Sequence, residues 1–421
     1  MELGPILRAM KRSKVRFGLI VLEVALTLAI VANCVALIRE AHAKINHPSG
    51  FDDANLIRVS SIPFEAAFKE DGYLDNTLRS DLELLASTPG VRTVSNTNFL
   101  PWAGGGSSDE MRAQGSKGEL LRTQVYNADE RTFEALGTPV TEGRGFTRDE
   151  VQDATLRFRA LGSSTRARGA DGQPVEKFAV DVVISRAYGR LAFGEGSPLG
   201  KVLEDSDGDE YRVIGVIDAF YNPYGWPIHD YVVFYPTWAR SFDFGSPFLV
   251  RAEPGQGDTL IKAMEQQLLA ANNGRNLRIM RVPTVKNQTM GAQRITATLM
   301  AWVAVLLVLV TAVGIVGLTS FSVTERTRQI GTRRALGARR RDVLRHFLAE
   351  NWLLTTMGIV LGTLLAFGIN VALVSGIEGA KLRWPLLAGG VLLLWATGLL
   401  ATLAPAFRAT RISPAIATRN V

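Results

Sequence analysis

The sequence predicts an α-helical membrane protein with four transmembrane helices and a large α+β extracytoplasmic domain inserted between the first and second helices. Four apolar stretches are each long enough to cross a hydrocarbon core of about 30 Å, which takes about 20 helical residues. Basic residues cluster beside these stretches. The long region between the first two stretches reads instead like a folded polar domain, in which short strands and helices are interleaved. These three observations together predict the fold class.

The predicted transmembrane helices are residues 17–38, 294–322, 349–375 and 385–407. The first, FGLIVLEVALTLAIVANCVALI, is longer than the apolar core of a typical signal peptide, and no small-residue cleavage site follows it. We therefore interpret it as a retained span. The last two helices are separated by a short extracytoplasmic loop, 376–384.

The distribution of basic residues predicts the orientation. The N-terminal segment 1–16, the segment 323–348 and the tail 408–421 are all rich in arginine or lysine, and four spans place all three on one side. The positive-inside rule puts this side, with both termini, in the cytoplasm. Five basic residues on the far side carry less weight because long domains are translocated largely regardless of charge; they are Arg275, Arg278, Arg281, Lys286 and Arg294.

Composition excludes several classes of protein. The formal net charge is +7, but the arginines lie beside apolar stretches, so membrane topology explains them better than nucleic-acid binding. The one cysteine, Cys34, allows no intrachain disulfide. The histidines show no metal-ligand spacing, and no metal site is predicted; they are His42, His47, His229 and His346.

The domain at residues 39–293 contains patterns of both strands and helices. Alternating or short apolar runs predict strands at 56–60, 122–126, 179–184, 211–217 and 231–235, and helical patterns cover 74–87 and 259–271. Two segments rich in Gly and Ser, 102–110 and 160–174, are predicted loops. Each could face a partner or substrate, or be a plain surface excursion.

The arginine-rich segment VTERTRQIGTRRALGARRRDVLRHFLAEN, residues 323–351, is the most informative part of the chain. The second transmembrane helix continues into it without a turn signal. Gly337 is suited to a helix C-terminus, and a new helix is predicted from about Arg340. An ordinary loop whose arginines reach lipid headgroups would explain the charges, but not the positions of Gly331 and Gly337.

This segment resembles the cytoplasmic loop of MacB/FtsX-type ABC transporter permeases, whose pattern is close to ERTREIGxRxAxGAR. One departure is Gln329, where the family often has Glu. Residues 126–150, the stretch VVISRAYGRLAFGEGSPLGKVL with the following YRVIGVI, and the tail APAFRATRISPAIATR are similar to other patterns of the family. The resemblance covers most of the chain, including the order of span, domain and three further spans.

The resemblance implies a coupling segment that a cytoplasmic ABC ATPase contacts. The residues that match the motif are Glu325, Arg326, Arg328, Ile330, Gly331, Arg333, Ala335, Leu336, Gly337 and Ala338. These 421 residues contain no phosphate-binding loop and no ABC signature motif, so we expect the ATPase, with its ATP and Mg, to be a separate subunit. The chain itself is expected to bind no cofactor and to have no catalytic residues.

The resemblance implies a permease in a bacterial inner membrane that takes part in efflux of a hydrophobic compound or peptide. Four spans offer few faces for an enclosed channel, which fits mechanical transmission to the outer domain. A second permease copy or a homologous permease is expected as partner, with a periplasmic adaptor and an outer-membrane channel as further candidates. The alternatives are FtsX-like signalling to cell-wall hydrolases and Lol-type lipoprotein extraction. No enzyme motif or nucleic-acid-binding pattern is present.

Two further groups are candidates within the spans. Glu23 is an acid inside the first transmembrane helix, which makes it a candidate functional residue or a side chain that reaches the interface. Four glycines are candidates for close helix contacts, because small residues let helix backbones approach each other; they are Gly314, Gly317, Gly358 and Gly362.

Overall fold

A computed structural model of the chain describes residues 14–98, 102, 107–160, 179–221, 230–241, 243, 245–376 and 382–412. The chain divides into two compact units. The helical unit comprises Met1–Ile45 and Ala292–Val421, and the sheet unit comprises Asn46–Gly291.

The elements alternate in type only within the sheet unit. The α-helices are α1 (Lys14–Ile45), α2 (Asp71–Ala86), α3 (Thr132–Leu136), α4 (Arg148–Ala160), α5 (Arg186–Phe193), α6 (Gly257–Ala271), α7 (Val282–Thr289), α8 (Gly291–Glu325), α9 (Thr327–Ala335), α10 (Arg340–Gly376) and α11 (Trp384–Thr410). The strands are β1 (Leu56–Pro63), β2 (Val91–Asn96), β3 (Ser107–Ala113), β4 (Leu121–Asn127), β5 (Val140–Gly143), β6 (Ala179–Ser185), β7 (Val202–Asp205), β8 (Glu210–Ile217), β9 (Val232–Tyr235), β10 (Ser246–Ala252) and β11 (Arg275–Arg281).

Four helices in the described part of the chain, α1, α8, α10 and α11, are long and apolar enough to cross a membrane. Each extends beyond the apolar stretch from which it is predicted, because a helix closes its own backbone hydrogen bonds whether its side chains are apolar or charged. The largest extension is at α10, which begins at Arg340. A helix starting there is what the sequence pattern predicts.

α1 lies at the centre of the helical unit, whereas α8 lies at its margin. Of the 18 most apolar consecutive residues in each helix, 61% are buried in α1 and 11% in α8. The core between the helices contains Val24 and Leu28 of α1, Ile315 of α8, Leu354 of α10 and Leu394 of α11. The remaining apolar surface of α8 therefore faces outward from the unit.

The first sheet of the sheet unit has four antiparallel strands in the order β11-β1-β10-β2. From Ile57 to Pro63, β1 alternates buried and less buried residues, as a strand with one face on a core requires. That face packs against α2 and α6 through a core that includes Val59, Leu78, Phe248, Met264 and Leu268. α2 is followed by Thr88-Pro89-Gly90, where Gly90 has a φ of +94°.

The second sheet has seven strands in the order β5-β8-β6-β9-β4-β3-β7. β7 also pairs with β8, so that six of the strands form a closed ring with β5 attached. Closure of a sheet removes the open edges that could otherwise pair with other chains. The interior of the ring is filled by apolar side chains and tyrosines, among them Met111, Val182, Leu203, Tyr211 and Tyr235.

One of the two predicted loops is partly wrong. The segment 102–110 was expected to be a loop, but its second half belongs to β3, which pairs with β4 and β7. The polar residues Ser107 to Glu110 have little strand propensity, and neighbouring strands with Met111 as the buried anchor override it. In the other predicted loop, 160–174, Ala160 is the last residue of α4 and 161–174 lie outside the described residues.

Three of the five basic residues that precede the second transmembrane helix have acidic partners within the sheet unit. Arg275 pairs with Asp81, both side chains being almost fully buried. Arg281 pairs with Asp258 at 3.1 Å, and Lys286 with Asp53 at 2.8 Å. These cations therefore have a structural role in the sheet unit.

A buried carboxylate links the two sheets. Asp129, in the turn after β4, accepts hydrogen bonds from the backbone N–H of Asn96 at the end of β2 (2.6 Å) and of Arg131 (3.0 Å). Thr132 donates its hydroxyl to the same carboxylate at 3.0 Å. Burial raises the pKa of the Asp129 carboxyl to about 6, since the desolvation of the ionised form outweighs these bonds.

We expect Asp129 to make the sheet unit less stable as pH rises. The folded state holds the proton on Asp129 more tightly than the unfolded chain does. The stabilisation that the protonated carboxyl gives is therefore complete below the unfolded pKa near 4, and it is lost as the pH rises through 6. The difference between about pH 4.5 and about pH 7 is expected to be about 2 kcal/mol. Denaturant unfolding of the full chain in detergent, compared with Asp129→Asn, measures it. An equal pH slope in the variant would assign the effect to other groups.

Candidate functional site

The segment between α8 and α10 is a short helix followed by a tight bend. α9 ends at Ala335, and Gly337 follows with a φ of +98°. The Gly337 N–H donates to the carbonyl of Arg334 and the Ala338 N–H to the carbonyl of Arg333, both at 3.1 Å. This pair of bonds forms a Schellman motif, which needs a residue with positive φ and is usually built on glycine. Gly337 therefore sets the direction in which the chain leaves α9.

The start of α10 is closed by its own hydrogen bonds. The Asp342 carboxylate accepts from the N–H of Arg339 at 3.0 Å, and the Asp342 N–H donates to the Arg339 carbonyl at 3.0 Å. A carboxylate three residues after the N-cap is half of a capping box. The bend is thus fixed by backbone hydrogen bonds on both sides. We call residues 325–342 the elbow.

The elbow has one inward and one outward face. Ile330 and Gly331 are buried, and Ile330 packs with Val323, Phe347 and Ala406 in a small apolar core. Leu336 is 84% exposed, the largest exposed fraction of any large apolar side chain in the described part of the chain. Ala338 is half-buried, and the other exposed residues of the predicted coupling set are Glu325, Arg328, Arg333, Ala335 and Gly337.

Arg326, also in that set, points inward. Its guanidinium pairs with the carboxylate of Glu350 on α10 at 3.1 Å, and the two side chains are 16% and 7% exposed. The guanidinium also lies 6.0 Å from the centre of the Phe17 ring on α1. One residue of the elbow thus connects α8, α10 and α1. Glu350 lies inside the predicted span 349–375, as Glu23 lies inside 17–38, so the signal that marked Glu23 could also have marked Glu350.

A second arginine fastens the elbow to the last helix. Arg334 donates to the backbone carbonyls of Thr410 (3.1 Å) and Ile412 at the C-terminal end of α11. Helix C-termini carry carbonyls without intrahelical partners and a partial negative charge, both of which suit a guanidinium. The sequence alone did not indicate this contact, because the partner is backbone and carries no residue-type signal.

Three of the four candidate glycines lie against another helix. A Cβ placed on Gly358 would be 2.7 Å from the Val24 Cβ, and one on Gly362 would be 2.7 Å from the Ala25 carbonyl oxygen. A Cβ on Gly314 would be 2.3 Å from a carboxylate oxygen of Glu23, whereas one on Gly317 meets open space. α10 and α1 therefore approach each other closely at the two glycines of α10.

Glu23 lies at the contact between α1 and α8. Its carboxylate covers Gly314, and one turn further along α1 the hydroxyls of Thr27 and Thr311 are hydrogen-bonded at 2.7 Å. Polar contacts of this kind hold membrane helices together. Glu23→Gln keeps the side-chain shape and removes the charge. Unchanged transport by that variant would assign Glu23 a packing role alone.

Two family models match the chain. The MacB-like periplasmic core domain matches residues 17–268, more than half of the chain, and the FtsX-like permease C-terminal domain matches residues 301–414, which include the elbow. Together the two matches cover most of both structural units.

Individual proteins agree with these models. The uncharacterised ABC transporter permease YknZ of Bacillus subtilis is 29% identical over 56% of this chain and 61% of its own length. The macrolide export ATP-binding/permease protein MacB of Sodalis glossinidius is 26% identical over 97% of this chain and 59% of its own length. The chain thus spans about three-fifths of the length of these relatives.

Among solved structures, the periplasmic region of MacB from Actinobacillus actinomycetemcomitans is similar, with 16% identity over 58% of this chain and 97% of that one, at a TM-score of 0.35. The family assignment rests on the sequence models. Four apolar helices, an elbow with the family's motif and both family domains lead to one conclusion: the chain is a multi-pass membrane protein that belongs to the MacB/FtsX-type ABC transporter permeases.

Proposed function

We propose that this chain is the transmembrane subunit that couples ATP hydrolysis by a separate ATPase subunit to movement of its extracytoplasmic domain, for efflux of a hydrophobic compound or peptide. The observation that carries the proposal is the elbow, where an exposed leucine stands on a bend fixed by hydrogen bonds. The ATPase holds ATP and Mg. The elbow and both termini lie in the cytoplasm, and the sheet unit lies on the far side of the membrane.

Leu336 is the contact that the ATPase would bury. An apolar side chain this exposed on an otherwise polar segment is typical of a residue that becomes buried in a complex. Exposed arginines flank it on both sides, at Arg333 and Arg340. The matching surface on the ATPase is therefore an apolar cleft with an acidic rim.

The inward contacts of the elbow would carry the movement into the membrane. Ile330 anchors α9 in an apolar core, Arg326 joins the end of α8 to α10, and Arg334 holds the end of α11. A push on Leu336 would then reach three helices together, because short hydrogen-bonded links leave the elbow little freedom to bend by itself. Substrate need not pass between the helices in this scheme.

A second permease subunit, identical or homologous, completes the transporter in this proposal. The outward apolar surface of α8 is the place where a second subunit or lipid would lie, since only 11% of the most apolar 18-residue stretch of α8 is buried within one chain. A periplasmic adaptor and an outer-membrane channel are further proposed partners. A hydrolase or a lipoprotein that copurifies with the chain instead would favour the signalling or extraction alternatives.

Leu336→Glu is expected to weaken binding of the ATPase. Losing one buried leucine removes about 1.5–3 kcal/mol, which is about a 10- to 100-fold rise in Kd. The measurement is a titration of the ATPase onto the full chain in lipid nanodiscs. Leu156→Glu is the matched control, because Leu156 is an exposed leucine of the sheet unit. Equal binding by wild type and Leu336→Glu would remove Leu336 from the docking surface.

A further inference from the structure

Trp102 lies in the connection, along the sequence, between β2 of the four-stranded sheet and β3 of the seven-stranded sheet. Its side chain is 1% exposed. Its indole N–H donates to the Asp53 carboxylate at 2.9 Å, and the Lys286 ammonium lies 4.6 Å from the centre of its ring. Lys286 and Asp53 are themselves paired at 2.8 Å. The three side chains therefore form a closed set of contacts, which we call the Trp102 cluster.

The Trp102 cluster connects the two ends of the sheet unit. Asp53 belongs to residues 46–53, the segment through which the chain enters the unit after α1. Lys286 belongs to α7, the last helix before α8. The Thr289 hydroxyl of α7 also donates to the Trp102 carbonyl at 2.5 Å. Residues 46–53 and α7 are therefore next to the two points where the chain passes between the helical unit and the sheet unit.

The entry segment is in turn bound to both sheets. Asp52 pairs with Arg251 of β10 at 2.7 Å, which ties the segment to the four-stranded sheet. The Tyr221 N–H, after β8, donates to the Ser49 carbonyl at 3.0 Å, which ties it to the seven-stranded sheet. Tyr221 also lies 6.0 Å from Trp102, ring centre to ring centre.

The backbone of Trp102 is strained. Among the described residues it is the one non-glycine with a positive φ, +62°. A residue with a bulky side chain is conformationally strained at positive φ, so the contacts around Trp102 must hold its backbone in this conformation. Such strain is typical of a position where a particular side chain has to be presented in a particular place.

We propose that Trp102 is a positioning residue that binds the entry and exit segments of the sheet unit to each other and delivers their movement to the junction between the two sheets. This rests on the proposed function, in which the membrane helices move the outer domain. With the Trp102 cluster intact, residues 46–53 and α7 move together. Without it, each segment yields separately and the sheets stay in place.

The first test needs no ATPase. Amide hydrogen exchange of the full chain in nanodiscs is compared between wild type and Lys286→Gln. This substitution keeps an unbranched polar side chain, one bond shorter, and removes the charge. We expect exchange to rise by about tenfold in residues 46–53, in 283–289 and, at a distance, in 107–113 of β3. A rise confined to 283–289 would overturn the proposal.

The controls use matched chemistry. Lys201→Gln removes another lysine of the sheet unit that lies over an aromatic ring, with its ammonium 5.2 Å from the centre of Phe193. It should leave all three segments unchanged. Trp102→Phe keeps a ring beside Lys286 and loses the indole N–H, so we expect a smaller rise in the same three segments. This milder variant also serves if Lys286→Gln proves unstable.

The second test measures transmission in the complex with the ATPase. Spin labels at the exposed positions Arg92 on β2 and Lys117 after β3, in a Cys34→Ala background, report the distance between the sheets. ATP is expected to change this distance in wild type and in Lys201→Gln, and not in Lys286→Gln, while ATP hydrolysis continues in all three. An unchanged response in Lys286→Gln contradicts the role of the Trp102 cluster. No response in wild type counts against the proposed function itself, and the exchange experiment then decides the cluster by itself.

Discussion

Gly337→Pro is expected to abolish the ATP hydrolysis that the permease stimulates in its ATPase, while membrane insertion stays normal. Proline holds φ near −65°, whereas Gly337 has a φ of +98°, and proline lacks the N–H that Gly337 donates to Arg334. The loss is about 3 kcal/mol, enough to depopulate the bend by about 100-fold. The measurement is the ATPase rate of the purified complex in nanodiscs, with insertion checked by labelling on each side.

Gly337→Asn is the matched control for this substitution. Asparagine tolerates positive φ better than other side chains, it keeps the N–H, and a Cβ at this position meets no heavy atom within 4 Å. We expect stimulated hydrolysis within about threefold of wild type, which corresponds to about 0.6 kcal/mol. Normal stimulation in Gly337→Pro would show that the bend at Gly337 is not needed for coupling to the ATPase.

Glu350→Gln is expected to uncouple the elbow from α10 and to destabilise the helical unit. The variant leaves the guanidinium of Arg326, 16% exposed, without the carboxylate that it pairs with at 3.1 Å. Breaking a buried ion pair on one side costs about 3 kcal/mol or more, because the remaining charge is still desolvated. Stimulated ATP hydrolysis, measured on the complex with the ATPase in nanodiscs, should fall by at least about tenfold. The thermal midpoint of the purified chain in nanodiscs should also drop.

A double-mutant cycle separates the pair from its surroundings. Arg326→Gln combined with Glu350→Gln leaves no unpaired charge, so we expect the double variant to be less impaired than the sum of the two single ones by at least about 1 kcal/mol. Arg328→Gln is the control, since Arg328 is an exposed arginine in the same segment. Additive effects in the cycle would mean that Arg326 and Glu350 act separately.

Gly337 and Arg326 lie in different parts of the elbow and are expected to act at different steps of coupling. Gly337 determines the direction of the bend that carries Leu336, and Arg326 determines whether the base of the bend moves with the membrane helices. A variant of the first kind should lose ATPase stimulation through altered docking. A variant of the second kind should still bind the ATPase and lose stimulation, so binding affinity distinguishes the two.

Much of the helical unit could be predicted from local properties of the sequence. The four spanning helices follow from the length and apolarity of their stretches, because burial in lipid depends on each stretch by itself. The bend followed in the same way: Gly337 predicts a helix end, and α10 begins at Arg340. Positions of this kind depend on backbone conformation and hydrophobicity, which neighbouring residues determine.

The tertiary structure alone decided which side chains meet. Nothing near Arg326 in sequence distinguishes it from Arg328, yet one pairs inside the helical unit with Glu350 and the other is exposed. Likewise, Trp102 stands in a segment that reads as a flexible loop, and its buried contacts come from Asp53 and Lys286. A residue's type shows that it can bind a charge or a ring. Which partner it binds depends on distant parts of the chain that only folding brings within a few ångströms.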